Sequence, residues 1–339
     1  MTSRDKYFKY KQKFLNLKNQ AGGCNDVQTV QNLEPVAAKF IKSLEGSPPI
    51  YTLPIDEARK TLNQAAISPE KIDTYINDIT IANNISIRIV KPLNSENIKL
   101  PIVMYFHGGG WVLGNKETHD RLIRQIAIGA RVAVVFVNYT PAPEAKFPTQ
   151  INQAYDATLY MYNNANKFNL DANKMIIVGD SVGGNMSIAV ALMAKQRNIP
   201  KIQYQILLYP VTCTSLETES YKKFENGPWL TKKAMAWFFD QYLSNPDDKN
   251  NILVAPIKAT IDQLRNLPPT LIITDENDVL RDEGEAFAHK LMNADVDVTA
   301  VRFLGTTHDF LILNAIKDTP AVKNAISLII NKVKDIIKL

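Results

Sequence analysis

From about residue 75 onward, short apolar runs alternate with stretches whose apolar positions recur at helical spacing. The runs predict strands at 76–82 and 85–91, a hairpin across IANN, and then at PIVMYF (101–106), VAVVFVN (132–138), MIIVG (175–179), YQILLY (204–209), TLIIT (270–274) and TAVRFL (299–304). The spacing predicts helices over about 117–129, 149–166, 182–196, 283–294 and 319–337. Runs of Val and Ile unbroken by polar residues suit strands covered on both faces, as in a parallel sheet. An opening hairpin followed by strand–helix repeats predicts an α/β fold: a doubly wound, mostly parallel eight-stranded sheet with helices on both faces.

Ahead of this body, EPVAAKFIKSLE puts Val36, Ala37, Phe40, Ile41 and Leu44 on one helical face. GSPPIYTLP breaks the chain before a second short helix, IDEARKTLNQAA. Residues 33–74 therefore read as small cap helices and 75–339 as the main domain. Residues 1–32 form a tail and linker. In the tail, Tyr7, Tyr10, Phe14 and Leu17 fall at 3-4-3 spacing among five lysines, a basic amphipathic helix ended by Gly22 and Gly23. Solvated or weakly docked is the first reading of that helix; an anionic membrane surface or a partner protein is the alternative.

Charge sharpens this division. The first twenty residues hold six basic side chains and one acidic, which leaves 33 of each sign in the rest of the chain. A neutral body does not suit nucleic-acid binding. An apolar fraction of 45% and a charged fraction of 22% are those of an ordinary soluble globular protein, without an apolar run long enough to span a membrane. The Lys-rich start lacks the apolar core of a secretory signal, and Cys24 and Cys213 read as free thiols in a reducing compartment, so an intracellular location is expected.

Chemistry enters at KMIIVGDSVGGN, where Ser181 stands between Gly179 and Gly183, just past a strand and just before a helix. In an open α/β sheet, ligands gather at the carboxyl ends of strands. A sharp strand-to-helix turn strains its central residue, crowds out side chains two positions away, and aims a helix N-terminus at that residue's hydroxyl. A phosphate loop fits poorly, since the stretch lacks GxxxxGK[ST]. FHGGGWVLG (106–114) follows the strand PIVMYF, where the second half of an oxyanion hole is expected.

A serine hydroxyl needs an imidazole to take its proton and a carboxylate to orient that imidazole. The histidines are His107, His119, His289 and His308. His107 reads as an anchor of the glycine loop, while His119 and His289 fall in helical patterns as ordinary surface or core residues. His308, in the loop after the last strand, is the candidate base. The acid should follow the penultimate strand, in TLIITDENDVLRDEGE, among Asp275, Glu276, Asp278 and Asp282. Spacing leaves Asp275 and Asp278 nearly even, and Asp180, beside the nucleophile, should point elsewhere.

GDSVGGN, HGGGWVLGNKETHD, NYTPAPEAKFPTQINQAYDA, ENDVLRDEGEAFAHKL and THDF together resemble the hormone-sensitive lipase family of carboxylesterases, which have the α/β-hydrolase fold and a GDSAGGN-type elbow. The likeness runs from about Leu33 to Leu313 and implies a cap insertion at about 214–245. It implies Ser181 as nucleophile, Asp278 as acid and His308 as base, with oxyanion donors on Gly109, Gly110 and Val182 and with Gly108 shaping the loop. No cofactor or metal is implied. Trp111, Trp229 and Phe238, with Met235 and Trp237, are expected around the substrate. Departures from the family pattern are Val182 for Ala, Val279 for Pro, Asp309 for Gly, and YTPAPE for YRLAPE, which bear on substrate range more than on mechanism. The tail stretch KYFKYKQKFLNLKNQAGG is similar in composition to the openings of many giant-virus proteins, a hint of packaging in a virus particle.

The expected activity is hydrolysis of short- to medium-chain carboxylic esters, small molecules, through an acyl-enzyme. The rivals are a binding-only receptor of the same fold and a virion-associated structural component. A homodimer is a further candidate assembly.

Overall fold

In the protein's structure, a computed structural model describing residues 33–338, the apolar runs pair into a single eight-stranded sheet. The tail helix, the linker up to Asn32 and Cys24 lie outside the described residues. Strand order is β1 (Tyr75–Ile81), β2 (Ile85–Lys91), β4 (Ala133–Asn138), β3 (Leu100–Phe106), β5 (Leu170–Asp180), β6 (Tyr204–Leu208), β7 (Thr270–Asn277) and β8 (Val298–Thr307). β2 is antiparallel to both neighbours and every other pairing is parallel, as an opening hairpin feeding strand–helix units requires. Asn83 and Asn84 turn the hairpin at φ 60° and 56°, a backbone that asparagine tolerates better than most residues.

Helices α1 (Pro35–Ser43) and α2 (Ile55–Ala66) precede the sheet. Around it lie α3 (Asp120–Ala130), α4 (Thr149–Asn164), α5 (Val182–Arg197), α6 (Lys232–Tyr242), α7 (Arg281–Met292) and α8 (Pro320–Ile337). α3 packs on α8, and α4 packs on α5. Helix α5 is buried from Val182 to Ala194, so apolar and small residues occur all round it rather than on one face. Carrying the central turn on a helix enclosed by core fixes the position of its first residues.

Three strands run past their apolar runs. β5 starts at Leu170 because Leu170 and Asp171 pair with Leu100 and Pro101 before a register irregularity. β7 and β8 continue through polar residues to the pair Asn277–Thr307. That extra pairing brings the residues just after each strand, Asp278 and His308, to the same edge of the sheet. Backbone hydrogen bonds, blind to side-chain polarity, account for strand ends that hydropathy does not mark.

Candidate active site

Ser181 follows the last residue of β5 and caps the N-terminus of α5 with φ 54° and ψ −120°, a backbone that side chains rarely adopt. Its amide donates to the Leu208 carbonyl at 2.8 Å and its carbonyl accepts from Val211 at 3.1 Å, so the strain is held from both sides. The flanking glycines are required by space. A β-carbon on Gly179 would strike the Gly183 carbonyl, and one on Gly183 would strike the carbonyl of Phe106.

His308 Nε2 lies 2.9 Å from Ser181 Oγ, and His308 Nδ1 lies 2.7 Å from Asp278 Oδ2. Asp278 Oδ1 accepts from the Leu280 amide at 3.0 Å, which fixes the carboxylate plane. All three side chains are buried. Asp275 is near, but its two oxygens have no hydrogen-bond partner among the described residues. Burial, and then the charge of Asp278, push the Asp275 carboxyl well above the usual carboxylate range. The two carboxylates that spacing left nearly even are thus separated: Asp278 is hydrogen-bonded to the imidazole, and Asp275 is the one whose charged form burial disfavours. Burial alone would lower His308, but the charges of Asp278 and Asp309, with the hydrogen bond to Asp278, outweigh it and lift the imidazole to about 10.

The glycine loop after β3 lies against this constellation. Gly109 and Gly110 have φ 101° and 64° and line the same cavity as Ser181 and His308. Their amides, with that of Val182 at the first position of α5, have no backbone acceptor among the described residues. Gly108 differs, since its amide donates to Asp180 Oδ2 at 3.1 Å. It shapes the loop and is not free to bind an oxyanion.

Asp180 points away from the cavity, as expected. It accepts from Tyr105 Oη at 2.8 Å as well as from Gly108, and its Oδ2 lies 3.2 Å from His119 Nε2. Burial works against both charges of this pair, yet the Asp180 carboxyl is held low and the His119 imidazole high by each other's presence. A buried charge pair of this kind pins the glycine loop to the turn that carries Ser181. Sequence reading treated His119 as an ordinary core residue and missed the pair; the acid beside the serine was its only sequence signal. His107 anchors the loop, as its position predicts: it stacks on Tyr139 at 4.1 Å, and burial, reinforced by His119, drives it down to about 3. His289 is exposed on α7.

The cavity above Ser181 encloses about 710 Å³. Its walls come from α1, α2, the segment before α6, and α6, including Phe40, Leu62, Trp229, Met235 and Phe238. Trp229 meets Phe40 of α1 at 5.6 Å, joining two distant stretches of chain over the site. Phe238 lies where a β-carbon of Gly110 would stand, a second reason for glycine there. Trp111 does not line the cavity, contrary to expectation: it is fully buried and stacks on Tyr242 at 3.9 Å with the rings 3° from parallel. Its φ of 60° belongs to the turn that leaves the glycine loop, and the ring packs beneath α6 instead of toward the substrate space. Trp237, packed on Phe238, is also outside the lining. Another contact unseen in the sequence is Arg59 of α2, which grips Glu144 with two hydrogen bonds of 2.7 Å and donates to the Val112 carbonyl at 3.0 Å. It ties a wall of the cavity to the glycine loop.

Comparison with known proteins agrees with this geometry. The family described by the alpha/beta hydrolase fold matches residues 103–312. The chain is 44% identical to an alpha/beta hydrolase of Acanthamoeba polyphaga mimivirus, over 98% of this chain and 97% of that one. It is 30% identical to an ethyl acetate hydrolase of Pseudomonas putida, over 84% and 94% of the two chains. Among solved structures, a thermostable esterase from Pseudomonas putida superposes with a TM-score of 0.87 at 40% identity, covering 92% of this chain and all of that one. With the family match over residues 103–312 and relatives this similar over nearly the whole chain, the chain belongs to the α/β-hydrolase family.

Proposed function

We infer that this carboxylic ester hydrolase is a serine esterase acting on short- to medium-chain esters through an acyl-enzyme. One observation carries the reading: Ser181, His308 and Asp278 form a continuous hydrogen-bond relay that ends in the cavity faced by Gly109 and Gly110. Neutral His308, with Nδ1–H donated to Asp278, takes the Ser181 proton as Oγ attacks the ester carbonyl. The amides of Gly109, Gly110 and Val182 receive the oxyanion, where fixed dipoles in a dry site favour the developing charge. The imidazolium passes its proton to the departing alcohol. Water, deprotonated by His308, then releases the acid and restores the serine.

A cavity of about 710 Å³ with Phe, Leu, Met and Trp in its walls suits an acyl chain of moderate length. With p-nitrophenyl esters from acetate to decanoate, kcat/KM should peak at butyrate or hexanoate and fall by decanoate. Folded protein that turns over no chain length would favour the receptor reading instead.

Proton bookkeeping gives a second expectation. Because the surrounding carboxylates favour the imidazolium, the acid limb of kcat/KM should lie above the ordinary imidazole range, with activity growing as pH rises through the His308 transition. A limb at or below pH ~6.5 would mean that these carboxylates are not charged around the free enzyme's histidine.

A further inference from the structure

The residue after His308 bears two costs at once. Asp309 has φ 66°, where glycine is the unstrained choice, and its side chain is buried with 7% of the residue exposed. Its Oδ2 accepts a hydrogen bond from Trp229 Nε1 at 2.9 Å. Its Oδ1 has no hydrogen-bond partner among the described residues and lies 3.6 Å from His308 Nε2, beyond hydrogen-bond length. Asp309 lines the same cavity as Ser181 and His308. A strained backbone and a buried oxygen without a hydrogen-bond partner, on a residue that lines the cavity beside the base, call for a partner that arrives with the substrate.

Position says which part of the substrate can supply it. His308 Nε2 hands its proton to the leaving oxygen, so that oxygen must sit against Nε2. A group two or three bonds further along the alcohol is then within reach of Asp309 Oδ1. The other charged side chains around the cavity, besides His308, are Glu45, Glu225 and Lys233, an acidic excess that suits a donor better than an acceptor. We propose that Asp309 sets specificity for the alcohol portion of the ester: Oδ1 accepts a hydrogen bond from a hydroxyl or N–H there, so partial esters of polyols or esters of amino alcohols outrank those of plain alkanols. Burial raises the Asp309 carboxyl, opposed by His308 and the Trp229 hydrogen bond; a donor on the substrate acts with the latter two and favours the ionised acceptor. This proposal rests on the serine-esterase reading above.

The test measures kcat/KM of the full-length enzyme on propyl acetate, hydroxyethyl acetate and acetylcholine, in wild type, Asp309→Gly and Asp309→Asn. Propyl acetate has neither donor nor charge, and acetylcholine has charge without a donor. Glycine suits the backbone at this position, and Asn keeps the acceptor for Trp229 while turning an amide N–H toward the cavity. Wild type should prefer hydroxyethyl over propyl acetate by about tenfold, and both variants should bring that ratio close to one. A wild-type ratio near one, a ratio unchanged in both variants, or a gain confined to acetylcholine overturns the proposal. Turnover of propyl acetate with an unresponsive ratio sinks this inference alone; no turnover of any ester by wild type sinks the esterase reading with it.

Discussion

Ser181→Ala should lower kcat on p-nitrophenyl butyrate by roughly a millionfold while leaving a folded protein. The magnitude follows from the way the parts act together. Without Oγ, His308 has nothing to deprotonate that is held against the carbonyl, and the only remaining help is binding and the loop amides, whose residual effect over water is about a thousandfold or more. Stability should change little, because alanine meets the same backbone strain at φ 54° as serine does. Among the described residues the hydroxyl's one side-chain partner is His308, so its loss leaves no other buried group of the site there unpaired. A phosphonate ester should label wild type at one site per chain and leave the variant untouched. Residual activity within tenfold of wild type, or labelling of the variant, would place the nucleophile elsewhere.

The second large effect separates two acids. Asp278→Asn should cost roughly ten-thousandfold in kcat, because an amide donating to Nδ1 selects the tautomer with its proton on Nε2, facing Ser181, where the base needs a lone pair. Size and shape are kept, so the loss is one of proton placement. Asp275→Asn should cost less than about tenfold: burial already disfavours its charged form, and it makes no hydrogen bond to the imidazole. Side-by-side kinetics with circular dichroism on both variants decide the matter. Equal losses, or a greater loss at position 275, would reverse the assignment of the acid.

The strand–helix alternation was legible because its signals are local. Apolar runs such as VAVVFVN and MIIVG can be buried on both faces only in a covered sheet, and Gly-x-Ser-x-Gly after such a run has few uses other than a crowded turn. The order nucleophile, acid, base followed from which strand ends the residues adjoin. Family likeness added Asp278 over Asp275, a choice the residues by themselves left even.

What the chain alone could not supply was direction and distance across the fold. Trp111 reads in sequence like a pocket residue beside three glycines, yet a left-handed turn sends its ring against Tyr242, 131 positions away. Asp180 and His119 are 61 residues apart and meet only because β5 and the start of α3 converge behind the glycine loop. Arg59 finds Glu144 across 85 residues. The buried state of Asp309, with one oxygen held by Trp229 and the other left without a partner, likewise depends on a segment 80 positions earlier. Sequence by itself determined the sheet, the turn that carries Ser181 and the histidine loop after the last strand, since periodicity and steric demand act over a few residues. Tertiary structure alone decided which carboxylate meets the imidazole, which tryptophan lines the cavity and what holds the glycine loop, because burial and electrostatic pairing depend on neighbours that only folding brings together.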